Sequence, residues 1–232
     1  GFEGEGIGRT ILDFGQTANS INLAGGSTNI TSNSLVRDMT FQNRRATVAQ
    51  GRGALYVDSV RDIDIKKVRF TDNWSSATSS GNDIFFEDAA TMERINVIEC
   101  IFQSSGRSID SGSVGPLLIK GCKFLSNSGE GIRFATSVSG SFTIIDNYFN
   151  GLTANPIRVV DGIVNASFIG NIFEVIAATC ISISTGSELI IANNIIDRTA
   201  AGGTSTIGID LGAAAGDGRT IITGNVIINW LS

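Results

Sequence analysis

Three carboxylates, Asp58, Glu87 and Asp110, sit in short alternating segments that also carry Tyr56, Phe85, Arg133 and Arg158. Glycoside hydrolysis needs two carboxyl groups, about 5–5.5 Å apart for retention of configuration and about 6.5–9.5 Å apart for inversion. Aromatic faces stack on sugar rings, and guanidinium forks hold anionic groups. Trp74, with Arg44, Arg45 and Arg52, lies in two longer connecting segments nearby. A polysaccharide site is therefore readable here, with Asp58, Glu87 and Asp110 as the catalytic carboxylates and Tyr56, Phe85, Trp74, Arg133 and Arg158 as binding residues. The plain alternative is that these are ordinary solvated charges on a strand face. A lyase would use a base such as Arg133 beside bound Ca²⁺, but the carboxylates are too scattered to build an ion site. No metal or cofactor is expected. The chain has no histidine, which excludes Ser-His-Asp triads, Cys-His pairs and His-ligated zinc.

What must position these residues is a repeat. A six-residue signature ends on Phe41, Phe70, Phe102, Phe124, Phe149, Phe173, Ile196 and Ile227, at steps of 29, 32, 22, 25, 24, 23 and 31 residues. Each copy has an apolar first position, a polar or small third and a large apolar sixth. A period of this length marks a solenoid, whose units bury their apolar faces only by stacking on one another. A second alternating segment follows each signature, as in Leu55-Tyr56-Val57-Asp58, Ile84-Phe85-Phe86-Glu87 and Ile132-Arg133-Phe134. Strand patterning recurs throughout, and no long stripe at helical spacing interrupts it.

Period two then assigns the faces. Leu55, Ile84, Ile109, Ile132, Ile157, Ile181 and Ile209 face the core, so the outward column is Tyr56, Phe85, Asp110, Arg133, Arg158, Ser182 and Asp210. Asp58 and Glu87 begin a second outward column two residues further on. Stacked strands lie about 4.8 Å apart, which brings Asp58 close to Glu87. The long steps all arise in one connection, as the inserts Gln42 to Gly53, Thr71 to Asp83 and Asp197 to Ile207. Inserts on one edge are either functional walls or variable loops without a task. Cys100 and Cys122 share a register in consecutive repeats, and parallel Cβ vectors favour two buried reduced thiols over a disulfide.

Asn147-Tyr148-Phe149, Asn171-Ile172-Phe173, Asn194-Ile195-Ile196 and Asn225-Val226-Ile227 resemble the asparagine ladder of right-handed parallel β-helix proteins. Gly6-Ile7-Gly8-Arg9-Thr10-Ile11-Leu12-Asp13 resembles the opening coil of pectate-lyase-like and phage tailspike-like chains. The resemblance implies an all-β, single-stranded right-handed parallel β-helix of about eight to nine coils, with residues 1–232 as one domain. For function it implies a polysaccharide-binding module that, if catalytic, cleaves as a hydrolase or lyase without histidine. A non-catalytic structural or adhesive scaffold is the other reading. Polygalacturonase-like and alginate-epimerase-like members carry histidine in their motifs, which this chain cannot match. The ladder is polar only from Asn147 onward, since Met39, Val68, Cys100 and Cys122 fill the earlier positions.

The net charge is −5 with 17 Lys and Arg, which argues against a nucleic-acid partner. No run of 18 apolar residues exists, so no membrane-spanning segment is expected. A polysaccharide or oligosaccharide is the expected partner, with a homo-oligomer, a trimer if tailspike-like, as what the resemblance implies. The expected location is extracellular or virion-associated, and the uncapped last signature reads as a module of a longer fibre or secreted chain.

Overall fold

The computed structural model describes residues 2–15, 21–24, 34–46, 53–58, 60, 62–75, 81–87, 93–112, 115–135, 141–197, 208–214 and 219–228. All regular elements among them are strands, and they stack in parallel. One coil shows the path. Leu117–Lys120 lies in a first sheet, Lys123–Leu125 in a second and Ile132–Phe134 in a third. The next coil lays Phe142–Ile145, Tyr148–Asn150 and Ile157–Val159 on top of them in strict register. This is a parallel β-solenoid. Six turns, those anchored on Phe41, Phe70, Phe102, Phe124, Phe149 and Phe173, have every strand of the three stacked sheets paired on both sides. The solenoid thus has about six full turns, fewer than the eight to nine expected from counting signatures. The turns beyond these six lack a neighbour in at least one sheet.

The core is a column of stacked rings. Phe41, Phe70, Phe102, Phe124, Phe149 and Phe173 follow one another at centroid spacings of 5.1, 5.2, 4.8, 4.5 and 4.9 Å. All six are at most 1 % exposed. The strand repeat of about 4.8 Å sets that spacing, so the phenylalanine at the sixth position of these six signatures stacks on that of the next coil. Ile63, Ile65, Ile84, Ile109, Ile132, Ile157 and Ile181 complete the walls, all fully buried.

Two sharp corners per coil explain the polar or small third position. At the first corner Asp38, Lys67, Glu99, Gly121, Asp146, Gly170, Asn193 and Gly224 have φ between 52° and 66°. At the second, Asn43, Asp72, Ser104, Ser126, Gly151 and Val175 have φ between 52° and 70°. This left-handed region suits Gly, Asn and Asp. The corner amides still pair between coils, as in Glu99 N–H to the Lys120 carbonyl at 2.9 Å and Asp146 N–H to the Ile169 carbonyl at 3.0 Å. A β-branched Val175 at such a corner is strained.

The residue after the first corner points inward and closes the hydrogen bonding. Asn171 Nδ2 donates to the Ile144 carbonyl at 2.9 Å and to Asn194 Oδ1 at 3.0 Å, while its Oδ1 accepts from Asn147 N at 3.1 Å and Asn147 Nδ2 at 3.0 Å. Asn147, Asn194 and Asn225 repeat this pattern toward the carbonyls of Ile119, Phe168 and Ile191. Cys122 and Cys100 occupy the same place. Their thiols donate at 3.5 Å to the carbonyls of Val97 and Ile65, the equivalent groups of the preceding coils. Both thiols are buried and outside any disulfide, as expected for a reduced ladder, and Cys180 is likewise buried and unbridged. Burial and the adjacent Cys100 thiol push the Cys122 thiol up.

A second ladder lies at the other corner, five residues on. Asn73 Oδ1 accepts from Arg44 N at 3.1 Å and Asn127 Oδ1 accepts from Ser105 N at 3.0 Å. Further along the same column, Leu152 and Ile176 take over, 1 % and 2 % exposed. The amide ladder therefore changes corners between the Phe124 and Phe149 turns.

Two outcomes test this construction. Asn171→Ala should cost about 3 kcal/mol or more, because several buried groups lose partners worth about 1–3 kcal/mol each; a melt within a degree of the parent would refute the ladder. Val175→Asn should stabilise by about 1 kcal/mol by relieving a left-handed strain of that order, or about 2–4 °C in Tm for a chain of this size. A lower Tm would show that the valine side chain contributes packing that outweighs the strain.

Candidate functional site

The third sheet carries the predicted residues. In the outward column, Tyr56 is the lateral Cα partner of Phe85, Phe85 of Asp110, Asp110 of Arg133, Arg133 of Arg158, Arg158 of Ser182, and Ser182 of Asp210. Their inward neighbours Leu55, Ile84, Ile109, Ile132, Ile157 and Ile181 are fully buried. The column exists because apolar and polar residues alternate on these strands in a fixed register.

The side chains are less alike than the column suggests. Phe85 is half-buried and stacks on Tyr56 at 6.0 Å with an interplanar angle of 19°. Tyr56 itself is only 7 % exposed, so it stiffens the site rather than offering a free face. Asp58 and Glu87 are half-buried neighbours, and the Glu87 amide donates to the Val57 carbonyl at 3.0 Å. The backbone of Trp74 pairs with Arg45 in a short parallel ladder that joins the roots of the first two inserts. The side chain of Trp74 lies outside the described residues, as do positions 47–52 and 76–80 of those inserts.

Asp110 has a different setting. It is 5 % exposed and accepts from Arg107 Nη1 at 2.7 Å, Asn82 Nδ2 at 3.4 Å and Arg133 Nη1 at 3.5 Å. Arg107 Nε also donates to Glu130 Oε2 at 2.9 Å, and Arg158 Nη1 reaches Glu130 Oε1 at 3.1 Å. Asp110 is thus the centre of a closed ion network, its acceptor capacity largely taken by donors of its own chain. Burial alone would raise the Glu130 carboxyl, but the charge and hydrogen bond of Arg107, with Arg158, bring it below its ordinary value. Arg107 and Glu130 were missed in the sequence, although a signal was there. Each stands two residues before an inward isoleucine, in the same place on successive coils, which makes them a lateral pair of opposite charge.

A second buried polar cluster lies inside the same turns. Asp83 Oδ1 accepts from Asn73 Nδ2 and Ser105 Oγ, both at 2.8 Å, and Asp83 Oδ2 has no hydrogen-bond partner. Burial pushes the Asp83 carboxyl well above the usual carboxylate range, against the pull of those two bonds and of the Arg44 charge. Arg44 is 1 % exposed, and burial lowers its guanidinium from the ordinary value, with Asp83 opposing. Asn73 and Asp83 bracket the second insert, so this cluster ties its root to the core.

Surface concavity appears on a different face. A depression of about 230 Å³ on the first sheet is lined by Arg94, Asn96, Pro116, Leu118 and Thr143, and another of about 400 Å³ by Asn165, Glu188, Ile190, Arg219 and Ile221. Among the described residues no group of His, Cys, Asp and Glu is placed to hold a metal ion, and no helix is long and apolar enough to cross a membrane. A comparison with protein-family models, curated proteins and solved structures found no match. The class that the coordinates define is therefore the parallel β-solenoid with a buried asparagine ladder.

The ion network yields a pH-dependent prediction. The folded carboxyl of Glu130 lies below its unfolded value of about 4.3, so it stabilises the fold above that value and loses the contribution as pH falls through the folded value. Glu130→Gln should lower stability by about 3 kcal/mol at neutral pH, the order expected for breaking a buried pair. The difference from the parent should shrink below about pH 4. A penalty that stays constant from pH 7 to pH 3 would show that the cost is steric.

Proposed function

We propose that the chain is a polysaccharide-binding solenoid module, resembling those of pectate-lyase-like and tailspike-like proteins, that engages its polymer along the outward face of the third sheet. One observation carries the reading: Phe85, Asp110, Arg133, Arg158, Ser182 and Asp210 stand in one register column, in which Asp110 alone is buried. A track with one side chain per coil, about 4.8 Å apart, suits an extended polymer lying along the solenoid axis. Aromatic and guanidinium groups at its accessible positions are the types that hold sugars and their anionic substituents. Any cleavage falls to Asp58 and Glu87, which are half-buried, rather than to Asp110, which is nearly closed to solvent. A module of this kind works outside the cell or on a virion, alone or in a homo-oligomer.

The scaffold reading has an observation of its own. Arg107, Asp110, Glu130 and Arg158 join three consecutive coils by ionic contacts that need no ligand. A glycan array separates the two. The parent should retain at least one class of polysaccharide, and a Phe85→Ala/Glu87→Gln variant with an unchanged melt should lose about tenfold or more in affinity, equivalent to about 1.4 kcal/mol. Silence of the parent across a broad array would leave the scaffold.

A further inference from the structure

We infer that the polymer taken by this track is anionic, and that Arg133 and Arg158 read its acidic groups as a pair. The inference rests on the polysaccharide reading just given and adds the charge class of the ligand. Three guanidinium groups, those of Arg107, Arg133 and Arg158, face two carboxylates, those of Asp110 and Glu130. The cluster therefore carries one positive charge in excess, on a chain whose net charge is −5.

The surplus lies at the surface end. Arg107 is 10 % exposed in its side chain and spans both carboxylates, so it is fully engaged. Arg133 reaches Asp110 only at 3.5 Å through Nη1; its Nε is buried without a partner, so an outside acceptor meets the Nη groups. Arg158 meets Glu130 through Nη1 alone and is 47 % exposed, against 27 % for Arg133. A guanidinium carries five N–H donors, so most of both forks remains for an outside acceptor.

Arg133 and Arg158 are direct lateral partners on adjacent coils. Like charges directly opposite one another on a sheet repel, and here the carboxylates of Asp110 and Glu130 beneath offset them in part. An anion bound between the two relieves that repulsion and meets planar donors suited to carboxylate or sulfate. A uronate carboxylate and a sulfate ester present the same chemistry to this pair.

The test uses the whole chain with four probes: a uronate oligosaccharide, its carboxyl-reduced neutral analogue, a sulfated oligosaccharide and inorganic sulfate. At least one charged oligosaccharide should bind about tenfold or more tighter than the neutral analogue. Its binding should weaken several-fold between low salt and ~0.3 M, where the Debye length falls below the size of the site. Arg133→Gln and Arg158→Gln, each with a melt close to the parent, should remove that preference, and the two charged oligosaccharides tell carboxylate from sulfate. Equal binding of neutral and charged oligosaccharides, unchanged in both variants, would overturn the anionic inference while leaving polysaccharide binding in place. Binding of inorganic sulfate that depends on Arg158, with no oligosaccharide retained, would overturn the polysaccharide reading and keep the anion pair. Failure of all four probes would overturn both.

Discussion

A chain wound into a solenoid must turn sharply at every corner, and each turn drives backbone N–H and C=O groups toward a dry interior. An unpaired buried group costs about 1–3 kcal/mol, so a corner repeated in every coil is stable only if each copy finds a partner. The carboxamide of asparagine solves this with one residue, because it accepts from the coil on one side and donates back to a carbonyl there. Asn147, Asn171, Asn194 and Asn225 form such a series, each passing the bond to the next. Everything else on the molecule inherits its register from that stacking, including the outward column with its arginines.

The ladder does not stay at one corner. In the turns of Phe70, Phe102 and Phe124 the polar residue stands at the second corner as Asn73, Ser105 and Asn127, while the first holds Val68, Cys100 and Cys122. In the turns of Phe149 and Phe173 the order reverses, with Asn147 and Asn171 at the first corner and Leu152 and Ile176 at the second. Each of these five coils thus buries one amide or hydroxyl at one corner and an apolar side chain or thiol at the other. A polar side chain at both corners would take up apolar volume beside the phenylalanine stack, and one at neither would leave amides unpaired. The cysteines sit just before the change, and their weak donors reach the same carbonyls that the asparagines use. Asn73, at the root of the second insert, serves both as ladder residue and as anchor of Asp83.

Much of this was legible in the chain. The sixth-position aromatics fix the period, and the strand repeat alone accounts for their stacking. The polar or small third position is a direct trace of left-handed backbone, which Asp38, Gly121, Asp146 and Asn193 adopt at low cost. The outward column followed from alternation and holds in every pair. Side-chain environment was the harder part. Tyr56 and Asp110 are outward by register yet nearly closed to solvent, because the one stacks against Phe85 and the other gathers Arg107, Asn82 and Arg133. Alternation assigns a direction to a side chain and says nothing about what reaches over it. The second ladder escaped notice because hydroxyl and amide residues near a corner also read as ordinary turn formers.

The measurement that bears most directly on this account is residue-resolved hydrogen exchange at the ladder amides. The backbone N–H groups of Asn147, Asn171 and Asn194 donate to side chains one coil away, and Ser105 N–H does the same at the other corner. These amides should exchange as slowly as those of core strand residues such as Ile144 and Phe168, since they open only when coils separate. Fast exchange at these positions, beside protected strands, would mean that the corners are not held by the ladder and that the stacking has another origin.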